Sequence, residues 1–240
     1  KAKKLKRKIQ GAEEALEKSL GKLKKIEKDI AKEEKEKEEL KSKVIRKKEW
    51  YEKFRWFRSS EGFLVIGGRD ATTNEIVVKK HMDTDDVVFH TDMAGSPFFI
   101  VKSEGKKIGD ATLQETAQAT AVYSKAWKVG LGTTDVFHVK PEQVTKEAQS
   151  GEYMAKGSFM VRGKTTYIRP DMSMAIGIKD DQIIGGPIDA VKANSNKHVI
   201  IIQGKGKSSA IAKKIVKKLG GGDLDEIIRF LPPGGCELKK

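Results

Sequence analysis

The first 58 residues place apolar side chains at a repeating spacing of three and four positions. Twelve positions from Leu5 to Val44 follow this spacing, nine of them are apolar, and nearly every residue between them is Lys or Glu. The pattern lapses at Glu33 and Lys37. Such a spacing predicts a coiled-coil helix, about 85 Å long at ~1.5 Å per residue. Its apolar seam requires a coiled-coil partner helix, from a missing segment of the same protein or from a homodimer.

After residue 58 the pattern changes to short apolar runs separated by turns. Helices are predicted over 71–81 with Asp70 as the cap, from Asp110 or Thr112 through Trp127, from Ser208 or Ser209 to Leu219, and over 224–230. Small side chains along the second helix predict close packing. Strands are predicted at 63–66, 87–89, 98–101, 135–139, 158–161, 165–168, 174–178, 188–191 and 198–202, with a glycine-rich turn at 203–207.

This order of elements predicts an α+β protein. A long N-terminal coiled-coil arm (1–58) is followed by a mixed α/β globular domain (59–179) and a small basic α/β C-terminal unit (180–240).

Charge is distributed unevenly along the chain. Residues 1–58 hold 22 Lys or Arg and 12 Asp or Glu, so most of the net charge of +14 lies in the first quarter. The stretch from 191 to 222 adds eight lysines and no acid. Positive surfaces of this kind favour RNA, DNA or an anionic membrane surface, and solvated lysines without a partner remain an alternative.

The single cysteine, Cys236, excludes an intrachain disulfide and a cysteine-based zinc site. That usage fits a reducing cytoplasm. No apolar run of about 18 residues and no signal-peptide pattern are present, which predicts a cytoplasmic protein that does not enter a membrane. The chain begins at Lys1 in mid-pattern, and we expect it to be part of a longer protein.

Five aromatic residues fall within positions 50–57, among basic residues. On a continuous helix Trp50, Phe54 and Phe57 would share one stripe, predicted to dock the arm onto the globular domain. The opposite side would present cations and one aromatic ring outward, an arrangement that can hold looped or single-stranded RNA. Those outward groups are Lys47, Lys48, Tyr51, Arg55 and Arg58.

The glycine-rich stretch QGKGKSS (203–209) does not fit a phosphate-binding P-loop, because Ile201 stands where that motif requires glycine. A strand, a glycine turn and a helix start can still direct backbone N–H groups at an anion. Contacts from Lys205 and Lys207 to a nucleic-acid backbone are therefore predicted, with an ordinary tight turn as the alternative.

The acidic stretch HMDTDD (81–86), with His90 and Asp92, lacks the glycine and the closing glutamate of an EF-hand. A third ligand would have to be supplied, so hydrogen-bonded turn residues are favoured over a metal. Ser96 lacks a nucleophile-elbow frame, and His90 and His138 are typical of satisfied core residues. We therefore predict no enzyme, no catalytic residue, no metal and no cofactor.

Several motifs resemble the RNA-binding domain of the NFACT family, which includes bacterial RqcH and eukaryotic NEMF. The resemblance covers roughly residues 47–170 and looks closer to archaeal and eukaryotic members. The N-terminal pattern resembles one limb of the family's middle coiled coil. The motifs are WYEKFRWF (50–57), GGRDA (67–71) with Asn74-Glu75, His90-x-Asp92, Ser124-x-Ala126-Trp127, and Gly151-Glu152-Tyr153 leading to GSFMVRGK (157–164).

The resemblance implies a ribosome-associated quality-control factor that binds tRNA, large-subunit rRNA and the large ribosomal subunit carrying a stalled nascent chain. The intact protein would support extension of that chain without mRNA, while the ribosome forms the peptide bonds. The family's N-terminal domain is not matched, so this chain alone is expected to bind RNA without supporting tailing. This chain has Met93-Ala94-Gly95 where eukaryotic members have Leu-His-Gly. Ala94 thus takes the place of that histidine, and no role is expected at this position.

Arg69 and Asp70 fall on the family's Gly-Gly-Arg-Asp turn, where Arg69 is expected to reach a phosphate freely and Asp70 to cap the next helix. Asp92 is expected to be structural, with Asp70 and the aromatic stripe. Arg162 and Lys164 flank Gly163 in a predicted hairpin-like turn. The full set of predicted RNA-binding residues is Lys48, Tyr51, Arg55, Arg58, Arg69, Lys79, Lys80, His90, Lys140, Arg162, Lys164, Lys205 and Lys207.

Two alternatives stay open from the residues alone. A coiled-coil scaffold that binds a partner protein would make the basic surface incidental. A nucleotide hydrolase would require turnover that depends on Lys207.

Overall fold

The computed structural model describes residues 16, 19–23, 26, 48–146 and 155–239. The chain divides into two units, 1–48 and 49–240. In the first unit the described residues from 16 to 26 are helical, and the apolar side chains among them are between 50% and 63% exposed. The other residues of the predicted coiled coil before residue 48, Lys47 among them, and the Gly151-Glu152-Tyr153 motif lie outside the described residues.

Six helices and twelve strands are formed within residues 48–146 and 155–239. The helices are α1 (Ala71–His81), α2 (Asp110–Val122), α3 (Lys125–Val129), α4 (Ile188–Asn194), α5 (Ser208–Leu219) and α6 (Leu224–Phe230), with short 3-10 turns at Trp50–Lys53 and Pro141–Gln143. The strands are β1 (Arg55–Arg58), β2 (Leu64–Gly67), β3 (Val87–Thr91), β4 (Phe99–Lys102), β5 (Val136–Val139), β6 (Val144–Thr145), β7 (Met160–Val161), β8 (Thr166–Ile168), β9 (Ser173–Lys179), β10 (Gln182–Gly186), β11 (Lys197–Gly206) and β12 (Cys236–Leu238).

The strands form three sheets in which each pair of neighbours is antiparallel. The first sheet has the order β1-β2-β4-β3-β5-β8, the second β10-β9-β11-β12, and β6 pairs with β7 alone. This architecture confirms the prediction of a mixed α/β domain and shows that its sheets are antiparallel.

Helix α2 packs across the first sheet and also reaches β9 of the second. Its small side chains Ala117 and Ala121 are fully buried, which lets its backbone lie close to the strands, as the sequence predicts. The helix ends at Tyr123, and Ser124 starts α3 by accepting a hydrogen bond from the backbone N–H of Ala126 at 3.1 Å. The predicted single helix through Trp127 is therefore two helices.

The second sheet and helices α4 and α6 contact the first sheet within one unit, while α5 packs on the second sheet. The hydroxyl of Tyr123 donates to the carbonyl of Phe230 at 2.6 Å. The indole Nε1 of Trp127 donates to the carbonyl of Gly235 at 3.0 Å. Strand β9, which ends at the predicted boundary of residue 179, pairs with β10 and β11 beyond it. Both sides of that boundary thus contribute to one sheet.

The continuous helix predicted through residue 58 is wrong. Phe54 is extended, with φ −92° and ψ 179°, and the chain then enters strand β1. Trp56 packs edge-on against Tyr51 and Phe230, with ring centres 5.0 and 5.9 Å apart. Phe57 lies against Gly186 of β10. Burial of two successive side chains on opposite faces requires a strand, because side chains alternate across it.

Two further predictions are also wrong. Residues 188–191 belong to helix α4, which begins directly after Pro187 at its N-cap. Residues 203–206 continue strand β11 instead of forming a turn: Gln203 and Gly206 both pair with Cys236 of β12, with a register shift between them. Strands β1, β6, β10 and β12 were missed.

Candidate nucleic-acid interface

A cavity of about 300 Å³ opens where the Gly68-Arg69-Asp70 turn, strand β3 and two loops meet. The loops are residues 94–98, between β3 and β4, and residues 156–159, before β7. The structure thus brings Arg55, Arg69, Asp70 and His90 of the predicted site together. The lining residues are Arg55, Gly68, Arg69, Asp70, Ala71, Asn74, His90, Ala94, Gly95, Ser96, Pro97, Phe98, Tyr123, Lys156, Gly157, Ser158 and Phe159.

Arg55 lies beside Tyr123 in this cavity. The central guanidinium carbon of Arg55 is 4.0 Å from the centre of the Tyr123 ring, a cation–π contact. Burial lowers the pKa of Arg55, and burial likewise raises the pKa of the Tyr123 hydroxyl. Arg55 opens β1 and is half-buried, so the outward-facing position predicted for it on a helix is wrong.

Arg69 is held by three backbone carbonyl groups. Its guanidinium donates to the carbonyl oxygens of Lys53 at 3.3 Å, Phe54 at 2.9 Å and Arg229 at 2.9 Å. Burial, followed by the nearby charge of Arg55, lowers the pKa of Arg69 to about 10. The prediction that Arg69 reaches out freely is wrong, because its side chain is fixed in place and only its remaining N–H groups are available to a ligand.

Neither arginine has a carboxylate partner within 4.0 Å among the residues that the structure describes. Within the described part of the chain, Asp70 is the one carboxylate that lines the cavity, and it is engaged as the predicted cap of α1. It accepts from the backbone N–H of Thr73 at 2.8 Å and from its hydroxyl at 3.0 Å. Lys156 adds a further cation to the lining. The described lining therefore carries more positive than negative charge.

One wall of the cavity is aromatic. His90 stacks on Phe98 with ring centres 4.1 Å apart, and Phe159 meets Phe98 edge-on at 5.4 Å. Burial lowers the pKa of His90, so the ring is neutral at pH 7. Its Nε2–H donates to the carbonyl of Ser96 at 3.1 Å. His90 is thus a neutral wall residue fixed by the 94–98 loop.

Asn74 and two glycines hold the surrounding loops in place. The Asn74 amide donates to the carbonyl of Ser96 at 3.4 Å and accepts from the N–H of Phe98 at 3.1 Å. A Cβ on Gly68 would lie 1.8 Å from the Asn74 oxygen. Gly157 has φ +78°, and a Cβ there would lie 2.5 Å from the Ala71 carbonyl oxygen. Glycine is required at both positions because the backbone approaches too closely for a side chain.

Asp92 does not line the cavity. It is exposed at the end of β3, where the Tyr167 hydroxyl donates to it at 3.4 Å. Glu75 on α1 binds two lysines, Lys79 at 2.7 Å and Lys146. Their hydrogen bonds, that of Lys146 first, lower the pKa of Glu75 to about 2. Part of the positive charge predicted for Lys79 is thus offset within the protein.

Arg162 and Lys164 are exposed beside Gly163, which has φ +85°. The Gln143 amide donates to the carbonyl of Arg162 at 2.8 Å and to that of Lys164 at 2.9 Å, which fixes the backbone of this turn. The flanking strands pair with different partners, β7 with β6 and β8 with β5. The turn is therefore a link between two sheets, and the predicted hairpin is wrong.

The other predicted cations are exposed but lie outside the cavity lining. Tyr51 is half-buried against Trp56. Trp50, expected to be buried, is 45% exposed and stacks on His81, with ring centres 4.6 Å apart, whereas Phe54 and Phe57 are buried as predicted. The exposed cations are Lys48, Arg58, Lys79, Lys80, Lys140, Lys205 and Lys207, followed on α5 by Lys213, Lys214, Lys217 and Lys218.

The acidic stretch at 81–86 forms a hydrogen-bonded turn around Lys102. The ammonium group of Lys102 binds Asp86, donates to Asp83 at 2.7 Å and donates to the carbonyl of His81 at 2.8 Å. The other oxygen of Asp86 accepts from the N–H of Ser103 at 3.0 Å. Lys102 and Asp86 are buried, so these side chains form an internal ion pair.

Sequence reasoning missed Tyr123, Lys156, Phe98 and Phe159 as site residues. Phe98 lies in a predicted strand and Tyr123 in a predicted helix, and the apolar pattern of both segments predicts buried core positions. Phe159 belongs to the GSFMVRGK motif (157–164) and Lys156 directly precedes it, so the strict backbone requirement at Gly157 is the signal that could have identified them.

The family profile described as NFACT protein RNA binding domain matches residues 53–163, which include every described residue that lines the cavity. The archaeal Rqc2 homolog aRqcH of Methanocaldococcus jannaschii is 42% identical over 210 residues, covering 84% of this chain and 31% of that protein. The ribosome quality control complex subunit NEMF of Homo sapiens is 42% identical over 130 residues, covering 54% of this chain and 12% of that protein.

The chain thus spans less than a third of the length of the curated relatives given above. A solved structure, the C-terminal of the fibronectin/fibrinogen-binding protein from Streptococcus suis, shows a slight likeness to this one. The two have a TM-score of 0.43 and 16% sequence identity. That likeness covers 54% of this chain and 48% of the other, and is too slight to carry an argument.

Proposed function

The chain belongs to the NFACT family, and we propose that it binds folded RNA, namely tRNA and large-subunit rRNA, as the RNA-binding part of a cytoplasmic factor in ribosome-associated quality control. One observation carries the proposal: two guanidinium groups, with no carboxylate partner among the described residues, line one cavity inside the segment that matches the RNA-binding domain. Arginine forks are suited to phosphate groups.

Exposed cations outside the cavity would supply the remaining affinity. Lys80 and Lys140 are exposed, and the turn with Arg162 and Lys164 presents two more positive side chains. Contacts of exposed lysines with phosphates position an RNA without reading its sequence. Helix α5 would add a second contact surface through its four exposed lysines.

We further propose that the protein acts by binding and not by catalysis. In the intact protein this domain would hold tRNA on the large ribosomal subunit with a stalled nascent chain, and mRNA-independent tailing would leave peptide-bond formation to the ribosome. The names of the relatives support the quality-control setting.

The proposal is tested by measuring tRNA affinity of the full chain at several salt concentrations. Counterion release predicts that the logarithm of affinity falls linearly with the logarithm of salt concentration. With several phosphate contacts we expect a loss of at least about tenfold between 50 and 200 mM salt. Absence of tRNA and rRNA binding at 50 mM salt would contradict the proposed function.

A second candidate is a coiled-coil scaffold for a partner protein. It is favoured by the exposed apolar side chains Leu16, Leu20, Leu23 and Ile26 on the described helical residues. Sedimentation of the full chain at tens of micromolar should then show self-association. RNA binding and self-association are separate measurements, so either function can fail without the other.

A further inference from the structure

We infer that the cavity takes one nucleotide extruded from the bound RNA, with its phosphate on Arg55 and Arg69 and its base against the wall formed by Phe98 and Phe159. This inference rests on the proposed function and goes beyond it, because RNA binding alone requires only exposed lysines. It assigns a ligand class, a single unstacked nucleotide, to one enclosed site.

The first support is the free-energy cost of placing two arginine side chains in one partly desolvated cavity. Two guanidinium groups line one partly desolvated site, and the charge of Arg55 lowers the pKa of Arg69. Removing charges from water is costly unless a counter-charge compensates for it. Asp70 is held in the α1 cap and offsets this effect on Arg69 only in part, and no described carboxylate forms an ion pair with either guanidinium. A phosphate group would provide it.

The second support is preorganisation. Arg69 is fixed by three carbonyl groups and Arg55 by the face of Tyr123. These contacts keep the two guanidinium groups in position before any ligand arrives. A rigid site loses less entropy on binding than a pair of free side chains would. By contrast, the exposed lysines on α5 have no such fixed geometry.

The third support is the size and chemistry of the remaining space. A volume of about 300 Å³ lies at the lower end of the range for small-molecule sites, which suits one nucleotide and excludes a helical stem. The rings of Phe98 and Phe159 and the neutral His90 offer stacking partners to a base. Proteins commonly read unpaired RNA by stacking its bases on aromatic side chains.

The experiment uses the full chain and three soluble probes: 5′-AMP, adenosine and inorganic phosphate. Calorimetry should show binding of 5′-AMP at least about tenfold tighter than either adenosine or phosphate, because only the nucleotide reaches both parts of the site. Saturating 5′-AMP should weaken tRNA binding. Phosphate binding as tightly as 5′-AMP would overturn the assignment of the base to the wall.

Two variants separate the parts of the site. Arg55→Gln should abolish 5′-AMP binding and weaken tRNA binding about tenfold, whereas Phe159→Ala should weaken 5′-AMP binding and leave phosphate binding unchanged. Arg169→Gln is the matched control, since it removes an exposed guanidinium that pairs with Asp135 at 2.8 Å outside the cavity. We expect that control to bind 5′-AMP like the parent chain. Thermal unfolding of each variant verifies that it is folded.

The two proposals fail differently. If tRNA binds in a salt-dependent manner while 5′-AMP does not bind and Arg55→Gln changes tRNA affinity less than twofold, the nucleotide site is wrong and the RNA-binding function stands. If the folded full chain binds no RNA at low salt, the proposed function is wrong and the nucleotide inference falls with it.

Discussion

The guanidinium group of Arg55 rests 4.0 Å from the centre of the Tyr123 ring, while the hydroxyl of Tyr123 donates to the carbonyl of Phe230. A positive charge from the first strand is thus supported by an aromatic face that is itself fixed by the last helix. The contact joins three distant parts of the sequence at one point. It also places a charge where its solvation is reduced.

Arg55→Gln should leave the free energy of unfolding within about 1 kcal/mol of the parent value. Loss of the cation–π contact, worth about 0.5–2 kcal/mol, is offset by removal of a desolvated charge. Urea denaturation measures the change, with Arg169→Gln as the exposed control. A loss above about 3 kcal/mol would show that Arg55 is retained for stability.

Arg69→Ala should destabilise the protein by about 1–3 kcal/mol, because carbonyl acceptors of Lys53, Phe54 and Arg229 lose their donor. Arg69→Lys should recover only part of this stability, since an ammonium group cannot match the three directions of the guanidinium. The same denaturation series measures both variants. Equal stability of the lysine variant and the parent would contradict the geometric argument.

Lys102→Met should cost about 3–5 kcal/mol, because Asp86 would remain buried without its counter-charge. Combining it with Asp86→Leu should cost less than the sum of the two single changes. A double-mutant cycle in urea measures the coupling. Additive effects would indicate that the two side chains do not interact.

The thermal midpoint should fall as the pH is lowered from 7.5 to 5.5. Burial lowers the pKa of His81, His90 and His138 in the folded protein. The unfolded chain therefore binds more protons below its ordinary histidine pKa of about 6.5, so stability present above that pH is lost below it. A loss of 1 kcal/mol corresponds to about 2–4 °C for a unit of this size.

His138→Gln provides the matched test of this pH effect, because His138 lies beside Phe89 and outside the cavity lining. Its midpoint should depend less on pH than that of the parent chain. An identical pH dependence would assign the effect to other groups.

Replacing both Arg162 and Lys164 by Ala should weaken tRNA binding and leave unfolding unchanged. Both side chains are exposed, and Gln143 holds the turn through backbone carbonyls that alanine retains. Each lost phosphate contact should reduce the salt slope by about 0.7–0.9. Filter binding at several salt concentrations measures this, and an unchanged slope would remove the turn from the interface.

Local pattern was sufficient to predict several elements of the fold. Helices α1 and α6 occupy the predicted ranges, and Asp70 caps α1 through Thr73. These features depend on neighbouring residues, so a sequence window contains what determines them. The resemblance assigned both Arg69 and His90 to RNA binding, but neither periodicity nor charge could predict that the two segments meet in one cavity.

The errors occur where distant segments decide the conformation. Residues 203–206 belong to a strand because Gln203 and Gly206 pair with Cys236, near the end of the chain, on either side of a register shift. Residues 55–58 form a strand because both of their faces are covered, by Phe230 on one side and Gly186 on the other. No window around either segment contains its partner. Tyr123 was missed as a site residue for the same reason, because Arg55, which it contacts, is distant from it in the sequence.

The carbonyl groups of Arg229 and Phe230 fix Arg69 and Tyr123 beneath the cavity. The stretch that matches the family profile ends at residue 163, so it stops well short of the helix that braces the cavity. The matched segment is therefore smaller than the compact unit of residues 49–240. Gene fusions or truncations that cut at the end of the matched segment would remove the carbonyl groups that help to hold Arg69 and Tyr123, although both arginines of the cavity would remain in the chain.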